Sequence, residues 1–174
     1  MSPFARKIAG RVLGQKSRWP VDVFPPVPTT PEAIATAEQT LGFSLPPLLR
    51  ELYVNVRNGT FGPGPGLLPV GGRKVGNPGL SLENQYRAAL TYGADTFDDP
   101  TLQWPQRLLP LSDWGCDIYL CTQCGTSDYP IVRFDPNKFR PDTTWAACFT
   151  PEAASLGAWL EAWLREGDRF RQRQ

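Results

Sequence analysis

A chain of 174 residues with 41% apolar and 11% aromatic side chains carries enough apolar surface for one sizeable core, and a single domain is expected. It contains no histidine, which excludes Ser-His-Asp and Cys-His nucleophile systems, the HExxH zinc site and imidazole acid–base chemistry. The 18 basic and 17 acidic residues leave a net charge of +1, without the strong basic excess of a dedicated nucleic-acid-binding domain, so no direct nucleic-acid partner is expected.

Residues 1–19 hold Arg6, Lys7, Arg11, Lys16 and Arg18 and no acid, with Phe4, Ile8 and Val12 at helical spacing. This pattern predicts a basic amphipathic helix, read first as a docking helix or frayed terminus, with a membrane-surface helix or an organelle-targeting segment as the alternatives. It leads into no apolar signal region, and no run reaches the roughly 18 to 20 apolar residues of a membrane span. A cytoplasmic protein without a membrane span is therefore expected. Pro20, Pro25, Pro26 and Pro28 form a stiff connector, because proline fixes φ and disfavours helix in the preceding residue.

Thr30-Pro31-Glu32 opens a helix with a capping hydroxyl, a proline whose missing N–H is not needed, and a carboxylate at the positive dipole end. Ile34, Ala37 and Leu41 are its apolar stripe, and Gly42 suits its left-handed end. A second helix opens at Pro46-Pro47. Leu45, Leu48, Leu49, Leu52, Tyr53 and Val56 form one face until Asn58-Gly59 stops it. Gly62-Pro63-Gly64-Pro65-Gly66 invites a phosphate-loop reading, but its prolines remove the N–H donors and no Gly-Lys-Ser/Thr follows.

Ser81 caps a third helix from Leu82 to about Tyr92, with Gly93 to Pro105 as a polar, acidic loop. Strands are predicted at Arg107–Leu111, Asp117–Cys121, Ile131–Phe134 and Trp145–Phe149. Ile118 to Cys121 is apolar without alternation, as a strand covered on both faces would be. The closing helix begins at Thr150-Pro151-Glu152 or at Ser155, with Leu156, Trp159, Leu160, Trp163 and Leu164 as its stripe. Thr-Pro-Glu-Ala occurs at 30 and again at 150, which reads as one helix-start chemistry used twice. Helices, then a sheet, then a closing helix make an α+β fold.

Leu41-Gly42-Phe43-Ser44-Leu45-Pro46-Pro47-Leu48-Leu49-Arg50-Glu51-Leu52-Tyr53, with Asn58-Gly59 and Gly66-Leu67-Leu68-Pro69, resembles the front half of the SUKH superfamily, in its Smi/Knr branch. Leu109-Pro110-Leu111, Asp113-Trp114-Gly115-Cys116, Val132-Arg133-Phe134-Asp135 and the final helix are similar to its second half. The resemblance divides the chain into a basic helix and connector (1–27), a SUKH-like domain (28–166) and a basic tail (167–174). It implies a mixed, mainly antiparallel sheet flanked by helices and a non-enzymatic, protein-binding role. Bacterial members are commonly immunity proteins that bind and block a cognate toxin, often a nuclease; the alternatives are a regulatory adaptor or a small zinc- or thiol-bearing module.

Two site readings follow. Cys116, Cys121, Cys124 and Cys148 are the only complete set for a tetrahedral zinc, yet C-x4-C-x2-C-x23-C is not a pair of CxxC knuckles. Reduced thiols are favoured over zinc or a redox pair at Cys121 and Cys124, and no cofactor is expected. Eight acids and four bases lie between Leu90 and Trp145. Asp95, Asp98, Asp99, Asp117 and Asp128, with Trp104 and Tyr119 as aromatic anchors, would suit a basic protein partner such as a toxin domain. Trp104, between Gln103 and Pro105 in a polar loop, is expected at the surface. Asp98-Asp99 before Pro100 reads first as a solvated turn rather than a catalytic carboxylate pair.

Overall fold

The computed structural model describes residues 1–13, 27–71 and 80–167. Lys16, Arg18, the connector prolines Pro20, Pro25 and Pro26, and the basic tail from 168 onward lie outside the described residues.

The first helix, α1 (Pro3–Leu13), buries Ala5, Ile8 and Val12 in the main core. Its apolar stripe is thus covered by protein, and the membrane-surface alternative loses the face it needs. Ser2 caps the helix through a bond from the Ala5 amide at 3.2 Å. Its own amide and hydroxyl donate to the carboxylate of Glu51. At the other end the Arg11 guanidinium stands 4.7 Å over the Trp163 ring.

Helix α2 (Pro31–Leu41) starts as its sequence predicts, with Thr30 Oγ1 accepting from the Ala33 amide, and ends on Gly42 at φ 77°. Helix α3 (Pro47–Asn55) buries Leu49, Leu52 and Tyr53. The Tyr53 hydroxyl donates to the Leu68 carbonyl, and Asn58 pairs its amide with both backbone groups of Val70 at 2.9–3.0 Å. Gly59 sits under this return loop; a Cβ there would lie 2.6 Å from the Pro69 nitrogen. The amides of Thr60, Gly66 and Leu67 donate to carbonyls of Leu67, Pro63 and Phe61, so the glycine-rich loop closes on itself rather than on a phosphate.

Helix α4 (Leu82–Phe97), capped by Ser81, runs five residues past Tyr92, a correction to the predicted end. Gly93 does not stop it. The chain returning from the helix lays the Leu102 carbonyl where a Gly93 Cβ would be, so the glycine serves close approach instead of termination.

The sheet is an antiparallel meander of β1 (Leu108–Asp113), β2 (Tyr119–Gln123), β3 (Ile131–Phe134) and β4 (Phe149–Ala153), in that spatial order. β3 lies where predicted; β1 and β2 begin one and two residues later than predicted. Trp145–Cys148 is not a strand but a 3-10 turn, since Ala146 and Ala147 have little to gain on a sheet. Thr150-Pro151-Glu152 belongs to β4 and not to the closing helix. Pro151 is tolerated because β4 is an edge strand and the pairing with β3 slips beside it. The cap of α5 (Leu156–Glu166) is Ser155, whose Oγ accepts from the Ala158 amide at 3.0 Å.

Both sheet faces are covered, as the unalternating β2 implies. Leu109, Leu111, Leu120 and Ile131 join the main core with residues of α1, α2, α3 and α5, while Leu108, Cys121 and Phe134 enter a second, aromatic cluster with Ala89 of α4. No helix among the described residues is long and apolar enough to cross a membrane.

Candidate functional site

The second cluster is built around Phe134, which is fully buried. Trp104, Phe149, Tyr92 and Trp145 place their ring centroids 4.7, 5.1, 5.4 and 5.6 Å from it. Edge-to-face geometry dominates, as the ring quadrupoles favour. Trp104 therefore is core, not surface: it is 5% exposed, and its indole N–H donates to the Leu108 carbonyl at 2.7 Å. Its polar sequence neighbours hide this, because the apolar partners come from β3 and β4.

The rim of the cluster carries most of the predicted acids. Gly115, Cys116 and Asp117 turn β1 into β2 with three successive left-handed residues, at φ 82°, 52° and 58°. That turn points Asp117 at α4, where the Tyr92 hydroxyl donates to its carboxylate at 3.2 Å. Partial burial and the Asp117 charge push the Tyr92 phenol up to about 12. Tyr119, half-buried and stacked on Phe134, is raised further by burial and by Asp113 and Asp117. Both phenols stay neutral at any physiological pH, and Tyr92 is the donor in its bond to Asp117.

Asp95 is exposed on α4 itself, and Asp98 ends that helix in the left-handed region at φ 51°. Asp99 accepts from the amide and hydroxyl of Thr101 at 2.9 and 2.7 Å, which holds its carboxyl below the usual range. The Asp98-Asp99 pair is a helix end and an Asx turn. Asp128 is exposed in the β2–β3 turn, at the opposite end of β2 from Asp117, so the structure does not bring it to the others.

The thiols are not gathered either. Cys116 is exposed; Cys121 and Cys148 lie in the aromatic cluster, and Cys124 lies across the sheet in the main core. Among the described residues no three His, Cys, Asp or Glu side chains come together as a metal site. Burial pushes the Cys121, Cys124 and Cys148 thiols up, the reverse of what a redox or nucleophilic cysteine needs. An open groove of about 440 Å³ between α2 and α3 is lined by Ile34, Ala35, Val54, Glu38, Arg50 and Glu51. Its carboxylates are committed, Glu38 to Arg50 and the Leu45 amide and Glu51 to Ser2.

Three rings that sequence reasoning left out complete the rim: Phe97 at the end of α4, Phe139, and Trp145. A helix continued past Gly93 would have placed Phe97 seven residues from Leu90, on one face with it. Phe139 falls in no predicted element, and Trp145 falls in a predicted strand that is a 3-10 turn in the structure. Against known proteins, residues 28–162 match the model of the SMI1 / KNR4 family (SUKH-1). Among curated proteins none matches the chain.

Proposed function

The chain belongs to the SMI1 / KNR4 family (SUKH-1), and from that premise we propose that it is a protein-binding domain without catalysis of its own. The partner is a cognate toxin domain, basic in charge, which the chain binds and neutralises as an immunity protein in the cytoplasm. The observation that supports this most is the rim of the second core, where Asp117 and Asp113 face the partly exposed rings of Tyr92 and Tyr119, and Asp95 and Asp98 lie on α4 and at its end, on either side of Phe97 in sequence. Residues 21–164 carry nine bases and fifteen acids, while both ends of the chain are basic. An acidic, aromatic-bearing surface meets a nucleic-acid-binding groove by charge complementarity and competes with its substrate.

The test is protection in cells. The gene product encoded beside this chain is expressed from an inducible promoter with and without it. Growth restored by the chain supports the reading; equal growth arrest in both strains, with the chain present in soluble form, contradicts it.

A further inference from the structure

We propose that the ring triad Phe97, Phe139 and Trp145 is the contact face for a cationic segment of the protein partner, with an arginine of that segment laid against the rings. This rests on the protein-binding reading above and names the surface for it. The triad comes from three separate segments, with centroids 4.9 Å apart for Phe97 and Phe139, 5.7 Å for Phe139 and Trp145, and 6.0 Å for Phe97 and Trp145. Phe97 is 37% exposed, and Phe139 and Trp145 are partly exposed.

Phe134 and Trp104 are buried in the interior of the cluster, whereas Phe139 and Trp145 pack on its outside and keep part of their surface in solvent. The Trp145 indole N–H donates to the Gln103 carbonyl at 2.9 Å, so its ring is held in place before any partner arrives. A preformed, partly exposed aromatic face is a binding surface with its ordering largely done.

The sign of the occupant follows from the charges around it. Asp95 and Asp98 stand in the last turn and at the cap of α4, and that last turn holds no basic residue. Carboxylates at the negative end of a helix dipole are unfavourable in the free protein. Asp142 lies in the loop between Phe139 and Trp145. Two bases stand beside it, Arg140 in that loop and Lys138 just before Phe139, the latter reaching to Thr150 on β4 at 3.4 Å, against the three carboxylates of Asp95, Asp98 and Asp142. A cation docked here relieves the repulsion. Arginine fits better than lysine, because its planar guanidinium both stacks on a ring and pairs with a carboxylate.

The experiment titrates the full chain with a hexa-arginine peptide, with hexaglutamate as control, and follows the Trp145 indole resonance, assigned by its loss in Trp145→Phe. Expected is a saturable, salt-sensitive shift of that resonance with the first peptide only. Phe97→Leu, which keeps apolar volume and loses the ring, weakens binding about fivefold, and Asp95→Asn with Asp98→Asn weakens it further. No shift at Trp145, or unchanged binding by Phe97→Leu, overturns the proposal. Growth protection separates the two readings: wild-type chain that protects, with Phe97→Leu protecting equally at limiting expression, removes this face and leaves the immunity role. A peptide bound at Trp145 by a chain that protects against nothing does the reverse.

Discussion

Trp104, at the end of a polar loop, is a buried member of the aromatic cluster. Its indole is closed in by Phe134 and Phe149 and bonded to the Leu108 carbonyl, so Trp104→Ala is expected to destabilise the fold by about 3–5 kcal/mol. A surface anchor would leave the chemical denaturation midpoint nearly unmoved. Gly93 carries a sign reversal. Alanine is the better helix former by about 1 kcal/mol, yet Gly93→Ala drives a Cβ into the Leu102 carbonyl, and a lower melting temperature is expected. The four thiols divide in the same way. At pH 8 a thiol-specific reagent should modify Cys116 at once and Cys121, Cys124 and Cys148 only on unfolding, because burial disfavours their thiolates. Four thiols reacting together in the native protein would contradict the burial described.

At the scale of elements, α1 is the piece the sequence patterning leaves ambiguous and the packing decides. It lies outside the stretch matched by the family, yet Ile8 is fully buried and Ser2 and Arg11 tie its two ends to α3 and α5. Ile8→Ala should therefore cost about 2–5 kcal/mol in denaturant unfolding, where a peripheral helix would cost almost nothing. The attachment is also pH-dependent. Backbone and side-chain bonds from Ser2 hold the Glu51 carboxyl below its ordinary range, so its contribution is present above that range and lost as pH falls through the folded-state value. Amide exchange at Ile8 and Val12 should accelerate on acidification ahead of exchange in the sheet, and Glu51→Gln should remove that difference. The α2 start, the α3 face and β3 were legible because capping chemistry and periodicity are local. Thr-Pro-Glu-Ala shows the limit: at 30 it opens α2, while at 150 pairing of Thr150 with Arg133 holds the same four residues in a strand. Long-range pairing outweighs a local helix start, and no window around residue 150 contains Arg133. The candidate site was half legible for the same reason. Its acids show as composition, but which of them share an end of the sheet depends on the meander, which joins Asp117 to Tyr92 and sends Asp128 away.

For the whole molecule, a net charge of +1 conceals an acidic body with basic ends. If the body does the binding, association with a basic partner should be steered electrostatically and slow by about tenfold or more as salt is raised from low to high ionic strength, with dissociation changing less. The proposed binding role asks nothing of histidine, and the carboxylates of Asp99, Glu38 and Glu51 are held in a turn and in pairs; its central claim is that the acidic body binds and blocks a basic partner. The most direct measurement of that claim is the activity of the purified neighbouring gene product at increasing concentrations of purified chain. Expected is a loss of activity that is complete at equimolar chain and reversed by raising the salt concentration. Full activity at a large molar excess of folded chain in low salt would contradict it.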